Sequence, residues 1–375
     1  MARRATKRGE QRTPLDGEAD VLVCGASFAG LAVARELRGL GRRVLVVDRY
    51  EIGERQTSAC GIPTRWLEHL GLGHTILQSF DELVCHLPRS SKRFPLPFSF
   101  STFDYRAACS ALWEQTDAEF ETATVSGRSG RTVHTDRGDL RAALLVDGLG
   151  WRRLLDSEQA IQPPEARLSR GLEVHPPGSS QDLAIWIDRS FVPSGYGWSF
   201  PAGGELRIGW GSYEPRFHVK EPTVRLAEEQ GAQATRYQGN WIPHSIRPAT
   251  ADGVFFVGDS AGHCLPLTAE GIRTALYFGI ACGRELRAVL EGRRSEAEAL
   301  RRYAAFSAEH EWKYAWMERV QRLIPRLPPR LLDAILSPMQ RPRFVDWSFA
   351  HYLNVAHPDF ALPPPPPARS ESRAA

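Results

Sequence analysis

The sequence lacks the features that mark membrane-spanning, exported and disulfide-stapled proteins. No apolar run in its 375 residues reaches the length of a spanning helix, and no apolar stretch follows the basic N-terminus as an export signal requires. Its six cysteines show neither CxxC pairing nor metal-ligand spacing, so we expect no bound metal. These absences favour a protein of a reducing compartment, either cytoplasmic or peripheral to a membrane.

A strong net charge is also missing, since the formal charge is only +3. Nothing in that balance calls for nucleic acid or another polyanion as a partner. The apolar fraction of 42% and the charged fraction of 24% are typical of a folded globular chain. Its length suits one large domain or two modest ones, and the sequence indicates no oligomeric state.

The first chemical motif is a strand, a glycine-containing turn, a helix and a second strand within residues 19–50. Gly25 permits the tight turn, and Gly30 lets the helix pack close to the sheet. Free N–H groups at the helix start can receive a pyrophosphate. Asp48 closes the second strand, where it can accept a hydrogen bond from a ribose hydroxyl. Ser27 stands where glycine is usual, so its side chain must point away from a phosphate or donate to it.

A second glycine-rich turn lies far along the chain. A buried strand at 254–257 delivers Gly258 and Asp259 into this turn, and a helix starts near Gly271. Since one strand–turn–helix unit is half of a dinucleotide site, we predict that the two turns close around one cofactor. No second GxGxxG follows a strand, so a separate NAD(P)H domain is not expected. The competing interpretation is a strand–turn–helix unit without a ligand.

GDSAG followed by PLTAEGI, at 258–262 and 266–272, resembles the C-terminal FAD fingerprint of flavoproteins of the para-hydroxybenzoate hydroxylase superfamily. The resemblance implies non-covalent FAD, with Asp259 on its ribitol or ribose side. It also implies that the Gly271 turn faces the pyrimidine end of the isoalloxazine, where the positive end of the helix dipole stabilises reduced flavin.

Three further features carry weaker resemblances. Arg106 is similar to the helix arginine that such proteins place near FAD, and Arg49, next to Asp48, is a further cofactor-binding candidate. Residues 146–148 resemble the central Asp-Gly motif of the group, although the residues around them differ from its usual continuation. His263, beside the fingerprint, is interpreted as a capping or packing residue rather than a base.

The stretch from Pro193 to Pro201, followed by a GxG at 209–211, resembles the P-x-x-Y-x-W-x-F-P and G-x-G pattern of the geranylgeranyl reductase family. That family saturates isoprenoid double bonds with reduced FAD. In a strand, Tyr196, Trp198 and Phe200 share one face, and such a wall suits a channel for a hydrocarbon. The two glycines are expected to leave room for a ligand or flavin edge. The alternative is a plain aromatic core layer.

Cys60 lies in a Cys-Gly element that partly resembles one in the same family. An unactivated alkene needs a positioned acid, and Cys60 could protonate the carbon that does not receive hydride from flavin. The competing interpretation is a buried structural thiol. The predicted catalytic residues are therefore Cys60, Tyr196 and Trp198.

The predicted fold is α/β. It combines a Rossmann-like FAD-binding domain of the para-hydroxybenzoate hydroxylase type with an inserted, mostly antiparallel β-sheet substrate domain and a helical C-terminus. An irregular excursion is expected around residues 94–98. The predicted segments are a disordered basic leader at 1–18, a discontinuous FAD-binding domain at 19–62, 104–163 and 246–292, a substrate-binding sheet domain at 63–103 and 164–245, a helical C-terminal region at 293–358, and a Pro-rich disordered tail at 359–375.

The leading functional hypothesis is an FAD-dependent reductase of carbon–carbon double bonds in a lipid-like or polyketide-like substrate. NAD(P)H or a small redox protein would supply electrons transiently. The Arg-rich, amphipathic C-terminal helices could rest on a membrane surface. The first alternative is a flavin monooxygenase of the same superfamily. The second is a non-catalytic escort of prenylated partners.

Overall fold

The computed structural model describes residues 13–56, 58–156 and 168–363. The sixteen strands in these ranges form two eight-stranded sheets. The first, called here the parallel sheet, contains β1 (Gly17–Cys24), β2 (Val44–Asp48), β6 (Glu119–Thr122), β7 (Val125–Ser129), β8 (Thr132–Thr135), β9 (Gly138–Asp147), β15 (Thr250–Ala251) and β16 (Val254–Phe256). The second, the antiparallel sheet, contains β3 (Gly61–Pro63), β4 (Ile76–Leu87), β5 (Ser90–Phe103), β10 (Leu168–Val174), β11 (Leu183–Trp186), β12 (Gly195–Ala202), β13 (Glu205–Ser212) and β14 (Gln238–Pro243).

Nine α-helices occur in the described part of the chain. They are α1 (Phe28–Glu36), α2 (Thr64–His69), α3 (Tyr105–Glu114), α4 (Lys220–Glu229), α5 (Ile272–Leu290), α6 (Glu296–Ala308), α7 (Glu311–Leu323), α8 (Pro329–Met339) and α9 (Pro342–Leu353). Short 3₁₀ helices occur at Gly73–Thr75, Gly258–Ala261, Ile324–Arg326 and Pro358–Ala361. No helix among these residues is both long enough and apolar enough to cross a bilayer.

The parallel sheet has the order β15-β16-β9-β1-β2-β6, and β1, β2, β6, β9 and β16 run in the same direction. The apolar runs of β1 and β2 are buried because helices cover this sheet, as parallel strands require. Helices α1 and α5 approach closely, since a Cβ on Gly279 would lie 2.6 Å from the carbonyl oxygen of Ala29. This sheet brings sequence-distant strands side by side, as the two-turn prediction requires.

The antiparallel sheet has the order β14-β10-β13-β12-β11-β4-β5-β3, and only the β4–β11 pair is parallel. Helix α4 packs on one face of it, with Leu226 buried beside Trp210 in a shared core cluster. Helices α8 and α9 pack on the other face through Leu332 and Val345. The predicted α/β architecture, with a mostly antiparallel second sheet and a helical C-terminus, agrees with this arrangement.

The irregular excursion expected around residues 94–98 is wrong, because β5 runs through it. Pro97 would remove a ladder hydrogen bond in a regular strand. Here the pairing of β4 with β5 shifts register between Phe80 and Glu82, so Pro97 has no partner opposite it. The proline is tolerated where the ladder is already interrupted.

Both predicted disordered ends are shorter than expected within the described residues. Strand β1 begins at Gly17, inside the expected leader, while residues 1–12 lie outside the described part. The chain also stays ordered past 359, because the ring of Phe360 packs 4.4 Å from that of Tyr277. Residues 364–375 of the expected tail lie outside the described part. The internal domain boundaries stay a prediction, and β3 pairs with β5 rather than with the parallel sheet.

Candidate functional site

The turn at 25–30 requires glycine at both ends. Gly25 has a φ of +111°, and a Cβ there would lie 2.3 Å from the carbonyl oxygen of Gly148. A Cβ on Gly30 would lie 1.9 Å from the carbonyl oxygen of Gly25. Ser27 is the exposed N-cap of α1, and its hydroxyl makes no capping bond. The helix start therefore opens outward, as a pyrophosphate site needs.

Asp48 joins this turn to the end of β2. Its Oδ2 accepts a hydrogen bond from the Ala26 amide at 2.8 Å, and its Oδ1 accepts one from the Tyr50 amide at 3.0 Å. Burial raises the pKa of this carboxyl above its usual value. A carboxylate offers about four acceptor positions, so Asp48 can still accept a ribose hydroxyl. That role stays a prediction.

The second turn, at 258–262, lies directly against the first. Gly258 has a φ of +59°, and a Cβ there would lie 3.1 Å from the Cβ of Ala29. The amide of Gly150 donates to the hydroxyl of Ser260 at 3.1 Å, which ties this turn to the end of β9. The two turns therefore meet, as the sequence predicted.

Asp259 and Gly271 lie together at the start of α5. A Cβ on Gly271 would lie 3.9 Å from Oδ1 of Asp259. No hydrogen bond from the described residues reaches the carboxylate of Asp259, although burial raises its pKa to about 6 against the opposing charge of Arg247. The carboxylate of Asp259 is half-buried and accepts no hydrogen bond from these residues, so ribitol or ribose hydroxyls could donate to it. The residues present are thus compatible with FAD, while its orientation and the role of Asp259 stay predictions.

Asp147, from the central Asp-Gly motif, is different because its carboxylate is fully engaged. It accepts hydrogen bonds from the amides of Leu149 at 2.9 Å and Leu155 at 2.8 Å, and from the hydroxyl of Ser260 at 2.7 Å. Burial raises the pKa of this carboxyl. Asp147 therefore orders the chain after β9.

The two arginine candidates lie near the rim of this region. Arg49 is exposed, with its guanidinium 4.9 Å from the ring of Tyr50. Arg106 is exposed in the first turn of α3, and its backbone backs against Gly53. Neither is locked in the protein interior, and their contacts with FAD stay a prediction.

Tyr196, Trp198 and Phe200 share one face of β12, as the strand period predicts. Each is half-buried, while Gly197 between them faces Trp210 on the opposite side. The Tyr196 and Trp198 rings lie 5.8 Å apart. We call this face, defined by the three rings, the aromatic wall.

The expectation that Gly209 and Gly211 leave room for a ligand or flavin edge is wrong. In the register of β12 and β13, Trp198 lies opposite Gly209. A Cβ on Gly209 would lie 2.2 Å from the indole of Trp198, and one on Gly211 would lie 3.5 Å from it. The glycines make room for the tryptophan, which lies flat across the neighbouring strand.

The aromatic wall is tied to the loop that leads into α5. The Tyr196 hydroxyl donates to the carbonyl oxygen of Thr268, and the Tyr213 hydroxyl donates to that of Leu267 at 2.7 Å. The Leu267 amide donates to Oε1 of Gln321 from α7 at 2.6 Å. Leu267 has a φ of +70°, a strained conformation that these contacts hold in place. The aromatic wall therefore lies beside the loop expected to border the flavin.

Cys60 is fully buried, with a φ of +54°. Its thiol donates to the carbonyl oxygen of Ser58 at 3.2 Å. Burial raises the pKa of the thiol, opposed by the charge of Arg207, so the thiol is protonated at neutral pH. All six cysteines are free and buried. A protonated thiol fits both the acid and the structural interpretation, so the catalytic role stays a prediction.

His263 is packed, in line with its interpretation. Its ring stacks 3.7 Å from that of Phe278, and its Nε2 lies 3.0 Å from the hydroxyl of Ser307. Burial lowers the pKa of this imidazole, which keeps it neutral.

Sequence reasoning missed a buried ionic chain formed by Glu173, His175, Glu205 and Arg207. It lies in β10, β13 and the residue after β10, next to the aromatic wall. One signal was present in the sequence. Glu205, Arg207 and Gly209 are spaced two residues apart in a strand, so they share the face occupied by the aromatic wall.

Comparisons with known proteins agree with this geometry. The family model of the FAD binding domain matches residues 18–82. Digeranylgeranylglycerophospholipid reductase 3 of Methanosphaera stadtmanae is 25% identical over 78% of this chain and 83% of its own length. The menaquinone reductase of Mycobacterium tuberculosis is 25% identical over 74% of this chain and 78% of its own.

This chain is an FAD-dependent oxidoreductase that is similar to geranylgeranyl reductases. A solved geranylgeranyl bacteriochlorophyll reductase-like protein from Thermoplasma acidophilum shares its fold, with a TM-score of 0.77 at 18% identity, covering 92% of this chain and 98% of that one. A probable FAD-dependent monooxygenase from Pseudomonas aeruginosa gives 0.66 at 18% identity, covering 85% and 100%. The fold of this protein is therefore shared with a reductase-like protein and with a probable monooxygenase. The escort role without catalysis is set aside.

Proposed function

We propose that this FAD-dependent oxidoreductase saturates carbon–carbon double bonds in an isoprenoid lipid. The observation that carries the proposal is the aromatic wall, tied through Tyr196 to the loop before α5. An apolar wall beside the expected flavin edge suits a hydrocarbon chain, which offers no hydrogen bonds. The curated relatives, which are similar over most of the chain, include reductases named for geranylgeranylated lipids and for menaquinone.

Bound FAD, once reduced, supplies a hydride. The aromatic wall holds the alkene, and Cys60 donates its proton to the carbon that does not receive hydride. Two C–H bonds form and one π bond is lost, while the Cys60 thiolate takes a proton back from solvent. Reduction of FAD needs NAD(P)H or a small redox protein that binds transiently, because no second dinucleotide motif is present.

The test is an anaerobic incubation of the FAD-loaded protein with dithionite and a geranylgeranylated glycerol ether lipid, followed by mass spectrometry. We expect a gain of two hydrogens per saturated double bond. A lipid that stays unchanged without oxygen but gains an oxygen atom when air is admitted would support the monooxygenase instead. The monooxygenase is tested as the second candidate because the probable monooxygenase from Pseudomonas aeruginosa shares the fold of this chain.

We also propose that helices α7–α9 rest on an anionic membrane surface that holds this substrate. Among the residues that the structure describes, all but two of the exposed large apolar side chains lie between residues 312 and 362, the exceptions being Leu77 and Tyr237. Trp312, Trp316 and Trp347 are 68%, 58% and 57% exposed. Exposed arginines accompany them on the same helices and the turns that join them, at positions 319, 322, 326, 330, 341 and 343. Tryptophans with arginines are typical of interfacial helices.

Co-sedimentation with phosphatidylglycerol-containing vesicles tests this contact. Replacing Trp312 and Trp316 by serine should lower partitioning on the order of a hundredfold, since each buried ring contributes on the order of 1–2 kcal/mol and the two contributions add. The matched control replaces Leu77 and Tyr237, the exposed apolar residues outside this region, and should leave partitioning unchanged. Equal losses in the two double variants would contradict the proposed surface.

A further inference from the structure

A chain of buried polar side chains runs from the aromatic wall to the end of the sheet near Cys60. The indole Nε1 of Trp198 donates to Oε2 of Glu173 at 3.2 Å, and Oε1 of Glu173 lies 2.9 Å from Nε2 of His175. Nδ1 of His175 lies 3.5 Å from Oε1 of Glu205, which accepts from Nε of Arg207 at 3.1 Å. The charges alternate in sign along the chain.

Three of its members are almost completely buried. Glu173, His175 and Arg207 are 3%, 3% and 2% exposed. Burial opposes the charge of His175, but hydrogen bonds to Glu173 and Glu205 outweigh it and raise the pKa of the imidazole. Buried ionic groups of this kind are seldom more stabilising than well-packed apolar residues. Their presence beside the aromatic wall calls for a role other than stability.

Arg207 is the last member of this series of polar side chains, and it binds the backbone near Cys60. Its Nη1 donates to the carbonyl oxygen of Ala59 at 2.9 Å and to that of Phe103 at 3.0 Å. The amide of Phe103 in turn donates to the carbonyl oxygen of Cys60 at 3.1 Å. These bonds fix the backbone on both sides of Cys60, whose left-handed conformation is unfavourable for a residue with a Cβ.

We infer that Arg207 is a positioning residue for Cys60, held in place by Glu205 and, through His175 and Glu173, linked to Trp198 of the aromatic wall. The guanidinium fixes the thiol relative to the alkene and provides a nearby positive charge for the thiolate left after proton donation. This inference rests on the proposed acid role of Cys60. The inference adds that the position of the Cys60 thiol depends on Arg207, a side chain of β13.

A double-mutant cycle under anaerobic steady-state conditions, with dithionite as the reductant, tests the inference. Arg207→Lys keeps the charge but loses the hydrogen bonds to the carbonyl oxygens of Ala59 and Phe103. We expect kcat to fall on the order of tenfold while KM stays within about twofold. In a Cys60→Ala background the same substitution should change the residual rate by less than about twofold, because the group it positions is gone.

The outcomes separate the inference from the proposed function. A tenfold loss in both backgrounds would overturn the positioning role of Arg207 and leave the acid role of Cys60 standing. A Cys60→Ala protein with full kcat would overturn the acid role and the inference together. A change in KM alone would also contradict the positioning role, since it indicates loss of binding rather than of acid geometry.

Matched variants guard against a purely structural effect. Arg137 is another buried arginine, and it donates to the carbonyl oxygens of Thr13 and Thr122 in the region of the parallel sheet. Arg137→Lys should lower the melting temperature without changing kcat. If Arg207→Lys does not fold, Glu205→Gln serves instead, because it keeps the side-chain shape and weakens the hold on Arg207. It should lower kcat only when Cys60 is present, and the same loss without Cys60 would overturn the inference.

Discussion

Gly258 lies against Ala29 so closely that a Cβ on the glycine would be 3.1 Å from that of the alanine. Ala29 lies in the first of the expected FAD-binding segments, and Gly258 lies in the last. Their contact places the start of α1, which can receive a pyrophosphate, beside the turn that carries Asp259. This contact brings the two predicted cofactor-binding turns together, and the aromatic wall is joined to the loop before α5 through Tyr196.

A close backbone approach at the first turn predicts a loss of cofactor. Gly25→Ala should abolish FAD retention, because the new Cβ would meet the carbonyl oxygen of Gly148 at 2.3 Å. The measurement is the ratio of flavin to protein absorbance after gel filtration. Gly39→Ala is the control, since Gly39 also has a positive φ, +79°, but nothing lies within 4 Å of its Cβ position. Equal flavin content in the two variants would contradict the account.

Asp259 predicts a pH dependence of FAD affinity. Burial raises the pKa of its carboxyl to about 6, so the carboxylate is neutralised below that pH and charged above it. A ribose or ribitol hydroxyl donates more strongly to the charged form, so the affinity for FAD should rise between about pH 5 and 7. Asp259→Asn should weaken binding and flatten this dependence in fluorescence titrations. An unchanged slope in the variant would place the titrating group elsewhere.

Two tryptophans on neighbouring strands predict opposite phenotypes. Trp198→Ala should leave FAD bound and raise KM for the lipid about tenfold, because an aromatic contact worth about 1.5 kcal/mol is lost. Trp210 is fully buried on the other face and stacks on Phe191 at 4.5 Å. Trp210→Ala should instead destabilise the fold by about 3–5 kcal/mol. Unfolding and turnover are measured on both variants. A large loss of stability in Trp198→Ala, with a raised KM and unchanged stability in Trp210→Ala, would contradict the assignment.

The ion pair at the start of α5 predicts a large effect on stability. Arg273 is fully buried, and its Nη2 lies 2.7 Å from Oε2 of Glu270. Arg273→Ala leaves that carboxylate without its partner and should lower the free energy of unfolding by about 3–5 kcal/mol in urea titrations. The exposed pair between Arg322 and Glu318, at 3.5 Å, should contribute less than about 1 kcal/mol in the matching Arg322→Ala variant. Similar losses would contradict this difference in burial.

The sequence was sufficient to predict those parts of the site that depend on local backbone geometry. Gly25 and Gly30 are identified by their spacing after a strand, and the structure shows steric reasons for both. The period of a strand likewise placed Tyr196, Trp198 and Phe200 on one face. These predictions succeed because each concerns a few consecutive residues.

Features that depend on how strands pair could not be predicted in the same way. The role of Gly209 was wrong because its register opposite Trp198 is set by the pairing of β12 with β13. The chain from Glu173 to Arg207 joins strands separated by many residues, and no local pattern assigns their order in the sheet. Phe360 was assigned to a disordered tail because its packing partner, Tyr277, is distant in sequence.

Anaerobic stopped-flow reoxidation of the FAD-loaded, reduced protein tests the central claim most directly. Mixing with a geranylgeranylated lipid in the absence of oxygen should restore the absorbance of oxidised flavin, with one double bond saturated for each flavin reoxidised. Flavin that stays reduced with the lipid and is reoxidised only when oxygen is admitted would contradict the assignment as a double-bond reductase.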